Sequence, residues 1–338
     1  MSQMTIYKLA KELHMTPTMV SRAFNPNARV SEEKRRLVLE TAKKYQFSPN
    51  KHASRLSMKP LRIGILLCSR SDVNTKKMIR AVEEGHDALC GYKVEYDIAC
   101  LNCHDSLDKI QEVLEKYKAY DGVLVSGMSA PHYTDLLNDF YEINPNIVQV
   151  QSQNHEARCL FASKHDEARA SAIASDFLYQ CLRRGERKNI LLFTGDLQST
   201  VHHEASVAFR ACCERAGMRL LDVIDMRDDE KYFEEILPAV FKKYIAQTDG
   251  IYITSGLSIP LCHAIEERGI DIPLVTFDTH DGIREYMERG IVYATISQNV
   301  KGQMRVAFET LVSHIITAEP SAPILYTEVQ IKLPSNIR

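Results

Sequence analysis

Apolar and polar positions follow one recurring pattern along most of this chain. Between residues 61 and 338, short apolar runs typical of buried parallel strands are separated by amphipathic stretches with helical spacing. This alternation predicts an α/β fold built from βαβ units, with helices on both faces of parallel sheets. The predicted strands are Arg62–Cys68, Val94–Ala99, Gly122–Val125, Ile147–Val150, Asn189–Phe193, Leu220–Ile224, Gly250–Ile253 and Leu274–Phe277.

The amphipathic stretches predict helices, several of which end at a glycine suited to the left-handed conformation after a helix. About ten strands would crowd a single sheet, so we expect two Rossmann-like subdomains, with the second series restarting near Lys188. The predicted helices are 75–89, 107–117, 166–182, 202–215, 233–244 and 259–268, and the glycines are Gly91, Gly185, Gly217, Gly269 and Gly290.

The first sixty residues follow another pattern, in which three short helical segments replace the strands. Thr5 and Thr16 are suited to cap the first two segments, and Pro17 stands at a first helical position, where its missing N–H costs nothing. Two short helices joined by a tight turn and braced by a third predict a helix-turn-helix unit. The apolar stripe predicted for the third segment, which begins at Ser31, consists of Leu37, Ala42 and Tyr45.

The second of these helices carries short polar residues and one arginine. Thr18, Ser21 and Arg22 cannot all face the core if Val20 does. Such a helix fits the major groove of DNA, where an arginine can read guanine through two hydrogen bonds. We favour this base-reading role for Arg22, and the alternative is a contact with phosphate or solvent only.

Charge is divided unevenly between the two parts of the chain. Residues 1–60 contain 12 Lys and Arg against four Asp and Glu, whereas the whole chain has a formal net charge of −2. A basic module on an acidic body predicts a polyanionic partner, although a solvated basic face is an alternative that charge alone leaves open. With no signal-peptide pattern and no apolar run near the ~20 residues that cross a membrane, we expect a cytoplasmic protein without membrane contact.

The sequence offers little for metal or catalytic chemistry. Cys100, Cys103 and His104 have metal-like spacing, but no second pair lies at a matching distance, so we expect free thiols, no metal and no cofactor. The adjacent His202 and His203 diverge if they lie on a helix. The sequence contains no P-loop, dinucleotide-binding glycine motif, zinc-protease motif or nucleophile elbow, and we expect no enzymatic activity.

Four motifs in the first sixty residues resemble the DNA-binding domain of the lactose-repressor/galactose-repressor family. They match its spacing without gaps. The motifs are Thr5-Ile6-x-x-Leu9-Ala10, Thr16-x-Thr18-x-Val20-Ser21-Arg22-x-x-Asn25, Val30-Ser31-x-x-x-Arg35 and Phe47-x-Pro49-Asn50-x-x-Ala53-x-x-Leu56.

This resemblance implies that Pro17, Thr18 and Arg22 lie at the reading end of a recognition helix. It also implies that residues 50–58, too short for a helix stable alone in water, form a hinge helix that folds on the operator, with Leu56 wedged into a minor-groove step. The residues expected at operator DNA are Thr5, Thr16, Pro17, Thr18, Ser21, Arg22, Asn25, Ser31, Asn50, Ala53, Arg55 and Leu56.

The rest of the chain resembles, through looser motifs, the periplasmic sugar-binding-protein fold that the same family carries. The resemblance implies three crossings between subdomains, near residues 163, 292 and 323, a last strand at Tyr326–Ile331 and, without a leucine-heptad tail, a homodimer. We therefore expect a helix-turn-helix domain at 1–48, a hinge at 49–60 and an effector-binding domain at 61–338, divided into about 61–163 with 293–323 and about 164–292 with 324–338.

Ligands of such folds bind at the carboxyl ends of strands, between the two sheets. The strand-end loops here are polar, as a polyhydroxylated ligand requires, although turn formation is the alternative for any single residue. The resemblance implies a sugar-hydroxyl carboxylate at Asp278 and a helix-opening aspartate at Asp166. The candidate effector-binding residues are Arg70, Asp72, Ser126, Gln151, Asp166, His202, His203, Ser255, Asp278 and Gln298.

Two positions depart from the family pattern, and the first is Pro17, where the family often has a hydrogen-bonding or aromatic side chain. The second lies in the effector-binding domain. The family usually has an effector-binding arginine in the helix that begins near residue 202, and alignment on Ala216-Gly217 places Ala205 there. His202, His203 or Arg70 could replace that arginine. We expect a DNA-binding repressor controlled by a small-molecule effector, a sugar or sugar derivative, and the alternative is a solute-binding protein without regulatory DNA binding.

Overall fold

The chain divides by its internal contacts into two compact units. One unit is Met1–Pro60 with Gly91–Lys93, and the other is Leu61–Cys90 with Val94–Arg338. The computed structural model describes residues 6–24, 30–45, 47, 59–69, 72–102, 105–279 and 282–337. A small helical unit is thus followed by a large α/β unit.

The small unit contains, within its described residues, three short helices around a common core. They are α1 (Ile6–Glu12), α2 (Pro17–Ala23) and α3 (Glu32–Lys44). Two local bonds fix α2: the Met19 N–H donates to Thr16 Oγ1 at 3.2 Å, and the Arg35 guanidinium donates to the Ala23 carbonyl at 3.1 Å. The buried core residues are Leu9, Ala10, Val20, Ala23, Val38 and Ala42.

The predicted apolar stripe of α3 is wrong in part. Leu37 is 47% exposed and Tyr45 is also exposed, whereas Val38 is fully buried beside Ala42. Val38 and Ala42 lie four residues apart and therefore share one helix face, while Leu37 is rotated by about 100° from Val38 and faces solvent.

The large unit contains two sheets, each of six strands among the described residues, and each sheet defines a lobe. The strands of lobe 1 are β1 (Leu61–Cys68), β2 (Val94–Leu101), β3 (Gly122–Ser126), β4 (Ile147–Gln151), β5 (Phe161–His165) and β11 (Ile324–Thr327). All neighbours are parallel in the order β11-β5-β4-β3-β1-β2. Its helices are α4 (Asp72–Ala88), α5 (Leu107–Tyr117), α6 (Thr134–Ile143) and α12 (Val300–Thr317).

Lobe 2 repeats this architecture with one antiparallel edge. Its strands are β6 (Asn189–Thr194), β7 (Arg219–Asp225), β8 (Gly250–Ile253), β9 (Leu274–Phe277), β10 (Ala294–Ser297) and β12 (Gln330–Lys332). They are ordered β12-β10-β9-β8-β6-β7, and β12 runs antiparallel to β10. Its helices are α7 (Glu167–Leu182), α8 (Thr200–Arg215), α9 (Glu230–Tyr244), α10 (Ser258–Glu267) and α11 (Ile283–Glu288).

The chain crosses between the lobes at three places within its described residues: between β5 and α7, between β10 and α12, and between β11 and β12. The predicted crossings near residues 163, 292 and 323 are therefore a few residues early, and the subdomain boundaries placed there are corrected accordingly. The single last strand predicted at Tyr326–Ile331 is in fact two short strands, one in each sheet.

The predicted strands and helices are confirmed to within three residues at each end. Of the predicted helix-ending glycines, Gly217, Gly269 and Gly290 have φ of 68°, 58° and 78°, whereas Gly91 and Gly185 do not adopt this conformation. Two strands are missing from the prediction, β5 and β10. Both are short and interrupted by buried polar residues such as Ser163 and Thr295, so neither forms an apolar run.

Candidate functional site

A cleft runs between the two lobes of the large unit, and side chains from opposite lobes meet across it. Ser129, which follows β3, has its Oγ atom 3.2 Å from Oγ of Ser199 at the start of α8. The Thr200 hydroxyl donates to the Gln153 carbonyl at 2.7 Å. Because these residues follow the carboxyl ends of strands or begin a helix beside them, the cleft lies where α/β folds bind ligands.

On the side of lobe 1, the structure brings together two of the predicted effector residues. Ser126, at the end of β3, is 1% exposed and donates to Gln151 Oε1 at 2.7 Å. Gln151 ends β4 with φ of 73°, an uncommon left-handed conformation for a residue with a side chain. Their pairing fixes both side chains at the strand ends.

On the side of lobe 2, His202 and Ser255 converge on a carboxylate that the sequence did not single out, Asp228. The Ser255 hydroxyl donates to Asp228 Oδ1 at 2.9 Å, and His202 Nε2 lies 3.1 Å from Oδ2. A Cβ atom on Gly195 would lie 2.2 Å from Asp228 Oδ1, so only glycine allows this close packing. Burial alone would raise the pKa of Asp228, but the hydrogen bond and charge of His202 outweigh it and lower that pKa.

Asp278 and Gln298 form a second linked pair in lobe 2. Asp278 follows β9 with φ of 69°, and its Oδ2 accepts from Gln298 Nε2 at 2.6 Å. The side chain of Gln298 also interacts with the imidazole of His165 at the end of β5 and acts to raise its pKa. Burial lowers the pKa of His165 to about 4, so this imidazole is neutral at pH 7.

Asp166 and His203 have other surroundings. Asp166 opens α7 as predicted, and its Oδ1 caps the helix by accepting from the N–H groups of Ala168 and Arg169 at 3.0 and 3.1 Å. His203 is exposed, next to the inward-facing His202 on α8, and the structure does not bring it to the cavity beside His202. Adjacent helical residues diverge by about 100°, which accounts for the difference.

Some predicted site residues cannot be placed. Arg70, Thr5, Asn25 and the hinge residues Asn50, Ala53, Arg55 and Leu56 lie outside the described residues, as do Cys103 and His104 and the side chains of Ser21 and Asp72. Asp72 is described as the first residue of α4. Across the described ranges, no three His, Cys, Asp or Glu side chains are placed so that they could hold a metal ion.

The structure shows a buried charge cluster that sequence reasoning missed. Lys164, 4% exposed in β5, has its Nζ atom 2.8 Å from Glu204 Oε2 and 3.3 Å from Glu167 Oε2. His155 from lobe 1 contacts Glu204 Oε1. Burial alone would lower the pKa of Lys164, but the two carboxylates outweigh burial and raise that pKa. For Glu167 burial is the largest effect, and it raises the pKa of this carboxyl group.

A small cavity lies beside this cluster, between α7 and α8. Its volume is about 20 Å³, room for about one water molecule. Two buried atoms of its lining residues, His165 Nδ1 and Glu167 Oε1, have no hydrogen-bond partner among the described residues. The cavity is lined by His165, Glu167, Ala170, Ser171, Val201, His202, Ala205, Tyr252, Thr254 and Phe277.

The small unit has an open groove of its own. The groove is lined by four exposed residues, Thr16, Thr18, Arg22 and Ser31. Lys34 of α3 lines the side of the groove that lies across from α2. Among the residues that the structure describes, the groove therefore has hydroxyl groups and two cationic side chains but no acidic one.

Among proteins of known identity, the chain is similar to Catabolite control protein A. The protein of that name from Priestia megaterium is 24% identical over 278 residues, which cover 80% of this chain and 79% of that protein. The protein of the same name from Staphylococcus xylosus is also 24% identical, with the same coverage.

Among solved structures, the large unit has the fold of sugar-binding proteins. GanP, a glucose-galactose binding protein from Geobacillus stearothermophilus, superposes with a TM-score of 0.72 at 16% identity, over 83% of this chain and 99% of GanP. A protein described as a LacI transcriptional regulator, from Bacteroides fragilis, superposes with a TM-score of 0.71 at 16% identity, over 82% and 98% of the two chains.

Two further observations bear on the class of protein. In the described part of the chain, no helix has the length and apolar character needed to span a bilayer. The Periplasmic binding protein domain family matches residues 64–319, which include most of both sheets, all but the start of β1 and the edge strands β11 and β12. With most of its length accounted for in this way, the chain belongs to the Periplasmic binding protein domain family.

Proposed function

We propose that this protein is a sequence-specific DNA-binding transcription regulator, a repressor of the lactose-repressor/galactose-repressor type. Its small unit binds operator DNA, and a sugar or sugar derivative in the cleft controls that binding. The observation that carries the proposal is the exposed polar face of α2, where Thr18 and Arg22 border a groove with Lys34.

The DNA-binding part of the proposal rests on geometry and charge. Val20 and Ala23 anchor α2 in the small core, which leaves Thr18 and Arg22 on the outside, where a recognition helix presents its reading residues. The excess of Lys and Arg in residues 1–60 supplies the attraction to phosphate that accounts for most non-specific DNA affinity. We assign Arg22 to a base edge and Lys34 to phosphate.

The effector part of the proposal rests on the cleft. Hydroxyl, amide and carboxylate groups converge there from both lobes, which suits a polyhydroxylated ligand. GanP, whose fold the large unit shares, is by its name a glucose-galactose binding protein. A ligand that binds the closed arrangement of the lobes more tightly than the open one would shift the balance between them and so change DNA binding.

The proposal includes a homodimer in the cytoplasm, with no catalytic step. Recognition helices of this kind act in pairs on two half-sites about one helical turn apart, which requires a two-fold dimer. The relatives named Catabolite control protein A and the structure described as a LacI transcriptional regulator support a regulatory role.

A second candidate function is a solute-binding protein without regulatory DNA binding. The likeness of the large unit to GanP favours it, because that fold serves ligand binding alone as well. The two candidates differ in the small unit, since a solute-binding role gives no use to a basic three-helix unit with an exposed Arg22.

Selection from random duplex DNA with the full-length protein tests the proposal. We expect one enriched, two-fold symmetric sequence, bound with an affinity that falls steeply as salt rises. Titration with sugars should then change that affinity. Failure to enrich any sequence, or binding insensitive to salt, would favour the solute-binding protein.

A further inference from the structure

We propose that the effector of this protein carries a primary ammonium group, and that His165 and Glu167 bind this group in the cavity between α7 and α8. The inference rests on the proposed function, because it names the chemical class of the cleft ligand. That class is an amine-bearing sugar or polyol, rather than a neutral sugar, a sugar acid or a sugar phosphate.

The cavity has two buried hydrogen-bonding atoms that nothing in the described residues satisfies. His165 and Glu167 are 2% and 5% exposed, and both line the cavity. His165 Nδ1 and Glu167 Oε1 have no partner, although buried polar atoms in native proteins almost always have one. Leaving both unsatisfied is costly, so a ligand group that bonds to both would be strongly favoured.

The hydrogen bonds around His165 determine what that ligand group must offer. A carboxylate oxygen without a proton only accepts hydrogen bonds, so Asp278 fixes the amide nitrogen of Gln298 towards itself at 2.6 Å. The amide oxygen, which also accepts from Gln303 Nε2 at 3.5 Å, is then the group that Gln298 offers to His165. The neutral imidazole has one N–H, and we place it on Nε2, where it can donate to that oxygen. Its Nδ1 atom is consequently an acceptor, like the carboxylate oxygen of Glu167.

Two acceptors in so small a space restrict which chemical group of a ligand can bind there. The cavity, about 20 Å³, holds a single group of the size of water. A hydroxyl group has one donor hydrogen and satisfies one acceptor, whereas an ammonium group has three and satisfies both. A water molecule has two donor hydrogens and can also satisfy both acceptors, but it is neutral. The charge around the cavity therefore decides between water and an ammonium group.

The surroundings of the cavity carry an excess of negative charge. Lys164 is the one cation that contacts Glu167 within the described residues, and it also pairs with Glu204. The two carboxylates are balanced by Lys164 and, only when its imidazole is protonated, by His155 on Glu204. A cationic ligand group would supply the missing charge, because buried carboxylates need a counter-ion or a proton. Ala205, which also lines the cavity, adds no cation that could hold a phosphate or carboxylate.

Matched ligands test this directly with the full-length protein. Calorimetric titration compares D-glucosamine, D-galactosamine and D-mannosamine with their N-acetyl counterparts, the neutral hexoses and D-glucose 6-phosphate. We expect at least one amino sugar to bind at least about tenfold more tightly than its N-acetyl and neutral counterparts, a low-end effect for a buried charged partner. Methylammonium should shift the side-chain nitrogen NMR signal of His165, and methanol should not.

Two substitutions on one helix separate the site from its surroundings. Glu167→Gln keeps the shape but removes the charge, and we expect it to abolish the preference for the amine over the N-acetyl sugar. Asp176→Asn removes an exposed carboxylate from the same helix, α7, and should leave the preference unchanged. If Glu167→Gln does not fold, the methylammonium measurement on the unaltered protein still decides.

The inference is overturned if amino sugars bind no better than their N-acetyl counterparts and methylammonium leaves the His165 signal unchanged. Those two results are expected if the cavity holds one bound water molecule instead. The inference is also overturned if Glu167→Gln retains the full amine preference. Failure of the proposed function looks different: amines then bind selectively, but no DNA sequence is enriched and no ligand changes DNA affinity.

Discussion

Lys164, on the last strand before the chain leaves lobe 1, lies 2.8 Å from the carboxylate of Glu204 on α8 of lobe 2. The pair therefore joins the two lobes next to one of the crossings between them. Lys164 is almost fully buried while Glu204 is partly exposed, so the lysine depends on its carboxylate partners more than Glu204 depends on the lysine.

The first prediction concerns that lysine. Lys164→Met should leave Glu167 buried without a counter-charge and should lower the free energy of unfolding by about 3 kcal/mol, near the low end for a broken buried pair because Glu204 can reach solvent. Urea unfolding measures the change. Lys109→Met, which removes an exposed pair with Asp105, should lower the free energy of unfolding far less, because water screens such a pair. Equal losses in the two variants would show that the cluster contributes nothing special.

The second prediction concerns stability in acid. The pKa of Asp228 is lowered in the folded protein, so its contribution to stability is present above the unfolded value of about 3.9 and is lost as pH falls towards the folded pKa. We expect unfolding free energy to fall below about pH 4 in the unaltered protein. That fall should be shallower in Asp228→Asn, as measured by urea unfolding at several pH values. Parallel curves for the two proteins would contradict the assignment.

The third prediction concerns base recognition. Arg22→Ala should reduce discrimination at one base position by about 1–3 kcal/mol, because a bidentate contact to guanine is lost. Binding to a set of single-base operator variants measures this. Arg36→Ala, on α3 and outside the groove, should weaken all operator variants alike if it changes binding at all. An unchanged preference profile for Arg22→Ala would remove its base-reading role.

The fourth prediction concerns the carboxylate at the end of β9. Asp278→Asn replaces a carboxylate that only accepts hydrogen bonds by an amide that also donates them. The Gln298 amide can then reverse, which disturbs its hydrogen bond to the side chain at position 278 and the tautomer of His165. We expect affinity for the hexose or hexosamine that binds most tightly to fall by at least about tenfold. Unchanged affinity would show that the ligand does not lie at this end of the sheet, and circular dichroism serves as the control for folding.

Much of the fold could be predicted from the sequence, and the errors have physical causes. Apolar runs such as the one in β1 are buried on both faces, so they appear as continuous hydrophobic segments. β5 does not, because Ser163, Lys164 and His165 are polar and yet buried. Ser163 and Lys164 are satisfied by Gln303 and Glu204, which are distant in the chain. Two of the three crossings were misplaced for the same reason, because they follow β5 and β10.

The sequence predicts residues of the candidate site only where the position of a single residue at a strand end is enough to mark it. Ser126 ends β3, Ser255 and Asp278 follow β8 and β9, and strand ends are visible in the sequence. Asp228 and Glu204 were missed because their importance comes from pairing with His202 and Lys164, which are 26 and 40 residues away and meet them only in the folded chain. No local pattern marks such pairs in a single sequence.

The positions of β11 and β12 have a consequence for biosynthesis. Each sheet receives one of its edge strands from Ile324–Lys332, near the end of the chain, although most of each sheet is encoded far upstream. A ribosome adding about 5–20 residues per second must therefore complete nearly the whole large unit before either sheet has all its strands. Until then β5 and β10 have unpaired edges, and an open strand edge can pair with other chains.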